Sequence, residues 1–282
     1  MAINPAEFDH ISKIVKEQSA IVLEKGKEYL VESRLRPLLQ KEKLGSLENL
    51  VTKLKAQPRG ELRDSVIEAM TTNETSFFRD IHPFETLKKE IFPDLIEKRK
   101  DKKELNIWCG ASSSGQEPYS LAMILRNQFS MLNTWKINFW ASDISNQMLN
   151  RCRSGIYSQL EINRGLPAPL MVKYFNRLGA EWQVKEDLRK MIQFRITNLS
   201  KKWPFMPPLD LIMMRNVLIY FDVEMKKDIL GKIRKLLRPD GYLFLGAAET
   251  TLNLDNSFER MPYEKSGCYR LKQGLSHATI RS

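Results

Sequence analysis

LNIWCGASSSGQEPYSLAMIL, residues 105–125, reads as an apolar strand, a loop of small residues and the first turns of a helix, and the rest of the chain repeats that pattern. Three more apolar runs, INFWASD (137–143), DLIMMRN (210–216) and YLFLGAA (242–248), alternate with helical stretches near 117–130, 145–153 and 222–237. Strands alternating with helices predict a mostly parallel sheet covered on both faces, an α/β nucleotide-type fold. Before the run IQFRIT (192–197), the short β-like pieces YFNRL and EWQVK break the alternation and predict a small β insertion near 171–197.

Residues 8–55 have a different character. FDHISKIVKEQ, EYLVESRLRPLLQKEKL and SLENLVTKLKA read as short amphipathic helices, the second with Leu30, Leu35, Leu38 and Leu39 on its apolar positions. Gly26, Gly45 and Pro58-Arg59-Gly60 punctuate them. The expected organisation is therefore a helical domain over 1–70 and an α/β domain over 71–282, with a frayed polar tail KQGLSHATIRS.

Composition narrows the class. Of the 282 residues, 42% are hydrophobic and 28% charged, as in a soluble globular chain. Asp210 and Arg215 interrupt the most apolar stretch, so no membrane insertion is expected. MAINPAEFDHISKIV has no leader pattern, which points to the cytoplasm. Cys109, Cys152 and Cys268 are widely spaced structural thiols, and with only His10, His82 and His277 beside them no metal site is expected. The net charge of +11 attracts an acidic partner. Charges nearly balance over residues 1–70, so the excess lies beyond them. EKRKDKKE (97–104) mixes signs ahead of the first strand and reads as a solvated linker. Arg34, Arg36 and Lys41 form either a partner-facing or an ordinary exposed helix face.

In an open α/β sheet, ligands sit beyond the carboxyl ends of the strands. Gly110 and Gly115 in the loop after the first run could let the backbone approach a ligand. The spacing does not fit G-x-G-x-x-G, however, and Glu117 would repel a pyrophosphate while suiting an ammonium such as that of S-adenosylmethionine. Asp143, ending the second run, can accept hydrogen bonds from ribose hydroxyls; alternatively Asp143 or Ser145 simply caps the next helix.

TTNETSFFRD (71–80), GASSSGQEPYSLA (110–122), ASDIS (141–145), SGIY (154–157), RNVLIYFD (215–222) and LLRPDGYLFLGAAE (236–249) together resemble the chemotaxis receptor glutamate O-methyltransferases. The resemblance implies a Rossmann-like S-adenosylmethionine-dependent methyltransferase domain with a small β insertion, and a small all-helical N-terminal domain that faces the receptor. It implies methyl transfer to glutamates on the acidic cytoplasmic helices of chemoreceptors, giving glutamyl methyl esters and S-adenosylhomocysteine. Carried over by motif, Arg79 and Tyr220 lie close to the transferred methyl. Asn73 and Thr75 contact the methionine end, Glu117 the amino group and Asp143 the ribose. Asn198 and Leu199 frame the adenine, and Arg215 and Asn216 complete the pocket. A monomer is expected. The turn in NRLGAEW holds only Gly179, unlike the glycine-richer turn of members that bind a C-terminal receptor peptide, and this counts against such a tether.

An acceptor glutamate, which ordinarily titrates at about 4.3, is already ionised near neutral pH, so it needs no general base, and no Ser-His-Asp or Cys-His set is called for. A nucleic-acid methyltransferase is the rival suggested by the charge. RNVLIY stands where such an enzyme carries an Asn/Asp-Pro-Pro-aromatic motif, and MPPLD (206–210) precedes its strand. A fold that keeps the cofactor but lacks catalysis is the third possibility.

Overall fold

The computed structural model describes residues 3–57 and 60–272 in two compact units. Pro58, Arg59, His277 and the tail expected to fray from Gln273 onward lie outside the described residues.

The first unit runs to Thr72 and takes in Asn198–Lys202 and Tyr220–Met225. Four helices build it: α1 (Pro5–Ser19), α2 (Glu28–Lys41), α3 (Leu47–Ala56) and α4 (Glu61–Met70). Asn4 and Glu7 form a reciprocal capping box that starts α1 at Pro5, and Ser46 caps α3 by accepting the Asn49 N–H at 3.1 Å. Phe8, Ile11, Val15, Val31, Leu35, Leu50, Leu54, Val66 and Met70 interlock in its core. Arg34 is half-buried and bonded within the unit. Its guanidinium ties down the end of α4 through the Met70 carbonyl and the Thr72 hydroxyl, both at 2.8 Å.

The second unit opens with α5 (His82–Thr86), a π-turn (Leu87–Ile91) and α6 (Phe92–Arg99) in one continuous helical run. Pro93 has no N–H to donate back to Lys89, and the turn before it widens so that the Phe92 N–H reaches the Leu87 carbonyl. Arg99 corrects the reading of EKRKDKKE as a solvated linker. It is buried, and its guanidinium binds Asp210 (2.7 Å) and Asp240 (2.6 Å).

Seven strands then form one sheet: β1 (Glu104–Gly110), β2 (Lys136–Asp143), β6 (Ile192–Ile196), β7 (Leu209–Met214), β8 (Leu237–Leu245), β9 (Phe258–Arg260) and β10 (Cys268–Leu271). Their order is β6-β2-β1-β7-β8-β10-β9; the first five are parallel, while β10 and β9 join antiparallel. β1 and β7 are buried almost throughout, which explains why their sequences show no alternation. The connecting helices are α7 (Gln116–Gln128), α8 (Asn146–Ser154), α9 (Gln159–Asn163), α10 (Ala168–Tyr174), α11 (Glu186–Arg189) and α12 (Val223–Leu236). This is the Rossmann-like α/β arrangement that the alternating runs predict.

The insertion is a three-stranded antiparallel sheet of β3 (Ile156–Ser158), β5 (Glu181–Val184) and β4 (Phe175–Leu178), in that order. It starts earlier than residue 171, because the SGIY motif supplies β3. It also ends before 192, since Ile192–Ile196 pairs with β2 in the main sheet. Gly179, at φ 61°, turns the β4–β5 hairpin. Among the described residues no helix is long and apolar enough to cross a membrane.

Candidate active site

From β1 the chain moves outward to β2 and β6 on one side, then returns to β7 and β8 on the other. The switch point therefore falls at the carboxyl ends of β1 and β7. The segments leaving those ends and that of β2 carry Ala111–Gly115, Asp143 and Arg215.

Asp143 is buried and locks two of these ends together. Its Oδ2 accepts the Ser113 N–H at 2.8 Å and its Oδ1 the Ser145 N–H at 2.9 Å. The helix cap is Ser145, whose Oγ accepts the Met148 N–H at 3.0 Å. The two glycines of the loop have a packing role. A Cβ on Gly110 would strike the Met214 and Trp108 side chains, and one on Gly115, already at φ 99°, would strike Cys152 and Tyr157. The thiol of Cys152 is pushed up to about 12 by burial, so it is no nucleophile at neutral pH.

Glu117 enters in the first turn of α7, where the helix dipole favours a carboxylate. Arg215, with 1% of its side chain exposed, donates from Nη1 to Glu117 Oε2 at 2.7 Å. Its Nη2 reaches Asp80 Oδ2 at 2.8 Å and the Arg79 carbonyl at 3.0 Å, and its guanidinium lies 5.6 Å from the Phe84 ring centroid. Burial pushes the Glu117 carboxyl above the ordinary glutamate range, while Arg215 and then Arg79 pull it back. Oε1 of Glu117 has no partner among the described residues.

TTNETSFFRD is held by its two phenylalanines. Phe77 packs edge-on against Tyr157 (5.1 Å) and Phe175 (5.7 Å), and the Phe78 N–H donates to Ser120 Oγ at 3.0 Å. Phe78, Asp80 and Ile81 all have positive φ, a strained turn that Arg215 clamps from beneath. Arg79 follows Phe78 and donates to the Glu74 carbonyl at 2.9 Å. Asn73 accepts the Ser113 hydroxyl on its carbonyl at 2.8 Å. Thr75 is half-buried in the same segment.

After β7, Asn216 turns the chain at φ 57°. The backbone of this turn is gripped by Glu249, which lies past the end of β8 and is 8% exposed. Its Oε2 accepts N–H groups from Asn216 (2.8 Å) and Gly246 (2.6 Å), and its Oε1 from Val217 (2.8 Å) and Ile219 (3.3 Å).

Asn73, Thr75, Arg79, Glu117, Asp143, Arg215 and Asn216 thus all belong to the α/β unit. Asn198, Leu199 and Tyr220 belong to the helical unit. There the Asn198 amide is committed at both ends, with Nδ2 donating to the Gln18 carbonyl (2.6 Å) and Oδ1 accepting the Ser200 N–H (2.9 Å). Leu199 is buried, and the Tyr220 carbonyl accepts the Val22 N–H at 3.0 Å. Asp80 and Glu249 take part in the geometry although their sequence context assigns them no role. Both stand inside quoted motifs, and no local pattern reveals their distant partners.

Two family descriptions match the chain: "CheR methyltransferase, all-alpha domain" over residues 6–71 and "CheR methyltransferase, SAM binding domain" over residues 73–266. The chain is similar to chemotaxis protein methyltransferase 1 of Pseudomonas aeruginosa, 40% identical over 277 residues that cover 96% of this chain and 100% of the relative. A Pseudomonas putida chemotaxis protein methyltransferase is 38% identical over the same shares. That of Salmonella typhimurium is 34% identical over 92% of this chain and 88% of its own length.

Proposed function

Because the chain belongs to the CheR methyltransferase family, we propose that it esterifies glutamate side chains on the cytoplasmic helices of chemoreceptors, and that it works in the cytoplasm. Its cofactor is S-adenosylmethionine and its setting is methylation in chemotactic adaptation, as its family and relatives have it.

Glu117 is the observation that carries the site assignment. One oxygen is fixed by Arg215, and the other has no protein donor among the described residues, at the switch point where ligands of such sheets bind. A carboxylate held this way suits the cofactor's ammonium. Asp143, held at the end of β2 by the Ser113 and Ser145 N–H groups, would take the ribose hydroxyls. Asn73 and Thr75 would border the methionine end, with Arg215 and Asn216 closing that side. For Asn198, Leu199 and Tyr220 the proposal rests on the sequence motifs alone. With the Asn198 amide occupied, an adenine contact there would use its backbone.

S-adenosylmethionine supplies an electrophilic methyl on its sulfonium. The acceptor carboxylate arrives ionised, so the protein's task is to bring its oxygen into line and to exclude water. Arg79 suits the first part. Its backbone is held through Arg215, its Nη1 is tied to the Glu74 carbonyl, and the remaining guanidinium donors can orient a carboxylate.

Two variants check these roles. Arg79→Ala should lower kcat by about 10- to 100-fold while the dissociation constant of S-adenosylhomocysteine changes much less. A defect confined to cofactor affinity would move Arg79 to the cofactor's side. Asp143→Ala should weaken S-adenosylhomocysteine binding by about 1–3 kcal/mol in calorimetry and also lower the thermal midpoint, since Ser113 and Ser145 lose their acceptor. Unchanged affinity would remove Asp143 from the ribose. The function itself is tested by mass spectrometry of receptor cytoplasmic fragments after incubation with S-adenosylmethionine. Methyl groups on glutamates are expected, and methyl groups on any other residue type would overturn the reading.

A further inference from the structure

We infer that Glu249 is a positioning residue of the methyl-transfer site, fixing the backbone of residues 216–219 and, through it, the base of Arg215. The inference rests on the proposal that Arg215 and Asn216 border the cofactor.

Each Glu249 oxygen receives two backbone N–H groups, three of the four donors coming from the turn after β7. No cation pairs with this buried carboxylate among the described residues, so peptide dipoles alone offset its charge. Four converging donors require a group that only accepts. A glutamine in the same place would offer one oxygen and turn an NH2 toward two N–H groups. The turn needs such an anchor because Asn216 sits at φ 57°, a conformation that non-glycine residues adopt at a cost.

Gly246 is part of the same device. A Cβ there would come within 2.8 Å of the Asn216 nitrogen and of Glu249 Oε2, so the end of β8 approaches the turn at a spacing only glycine allows. The Glu249 N–H closes the loop on the Gly246 carbonyl at 2.9 Å. Arg215 is the residue just before the gripped turn, and its guanidinium spans Glu117, Asp80 and the Arg79 carbonyl. A shift of the Asn216 backbone is passed directly to that hub. With all four acceptor positions filled, Glu249 itself is not free to touch a ligand.

The test compares the full chain with Glu249→Gln and Glu249→Asp by amide hydrogen exchange across residues 215–220 and by kcat and KM on receptor fragments, normalised to folded protein. Glu249→Gln should exchange faster in that segment and lose about 10- to 100-fold in kcat per folded molecule, with KM for the fragment nearly unchanged. Glu249→Asp keeps an acceptor-only anion one methylene shorter. It should recover part of that loss, and if the glutamine variant does not fold it carries the test alone through the same two readouts.

Unchanged exchange at 216–219 overturns the inference, and so does faster exchange with unchanged kcat per folded molecule. The exchange measurement needs no cofactor. Failure of the parent chain to bind S-adenosylhomocysteine would strike the cofactor reading, while the anchoring role would still be decided by exchange.

Discussion

Arg215→Met should abolish measurable methyl transfer and cost about 3–5 kcal/mol of stability, the scale for removing one partner of a buried ion pair. Arg215 is almost wholly enclosed and satisfies three acceptors at once: Glu117 Oε2, Asp80 Oδ2 and the Arg79 carbonyl. Methionine fills similar space but leaves Glu117 buried beside no cation of its own, and it frees the strained turn that presents Arg79. Lysine is no substitute, because a single ammonium cannot fork between α7 and the 78–81 turn.

The loss should depend on pH with a definite sign. Burial raises the folded-state pKa of Glu117 above the ordinary glutamate value of 4.5, and Arg215 partly reverses that. Without the arginine the carboxyl rises further. An acid whose folded pKa is raised binds its proton more readily when folded, so stability is retained below the unfolded value and lost as pH climbs through the folded one. Urea titrations should therefore find the variant closest to the parent in acid and falling away toward neutrality. A pH-independent deficit would mean that Glu117 is not the group responsible for the loss.

Asp210→Ala should be comparably destabilising, about 3–5 kcal/mol, yet leave kcat per folded molecule unchanged. Asp210 is fully buried near the start of β7. It accepts from Arg99 Nε at 2.7 Å and the Asn106 N–H at 2.8 Å, and Arg238 Nε forms an ion pair with it at 3.1 Å. Its removal takes from the enclosed Arg99 guanidinium its buried carboxylate, leaving Asp240 and the Lys98 carbonyl. The network sits at the amino ends of β1 and β7, opposite the carboxyl ends that carry Glu117 and Arg215, and this separates stability from turnover. Asp240 adds a small acid dependence. Arg99 holds its carboxyl below 3.8, so the stabilisation is present above that value and is lost as pH falls through the folded one, reduced by solvent because Asp240 is 41% exposed. Chemical denaturation with activity measured on the folded fraction checks both parts. A fall in kcat for Asp210→Ala would tie the lower network to the site.

The sheet is legible because its strands are apolar runs ending in small or acidic residues. LNIWCGA, INFWASD, DLIMMRN and YLFLGAA form β1, β2, β7 and β8, with Asp143 at the end of β2 and Glu117 in the helix after β1. What local pattern cannot carry is a partner far along the chain. Arg99 looks solvated within EKRKDKKE, and only the fold brings it to Asp210, 111 positions away. Glu249 looks like a polar end to GAAE until β8 lies beside β7. β3 is three residues long and too short for alternation to show, and α4 begins beside Gly60 with no side-chain cap to announce it. The glycines of the first loop read locally as room for a ligand, and only the fold reveals that their absent side chains also make room for Met214, Cys152 and Tyr157.

The central claim is ester formation on glutamate, and the lability of the transferred methyl tests it most directly. Receptor cytoplasmic fragments are labelled with methyl-tritiated S-adenosylmethionine and the full chain, then treated with mild alkali. The label should leave as volatile methanol, because a carboxyl ester hydrolyses where an N-methyl or C-methyl group does not. Label that stays in the protein after alkali, or that appears in added RNA and not in the receptor, would contradict the account.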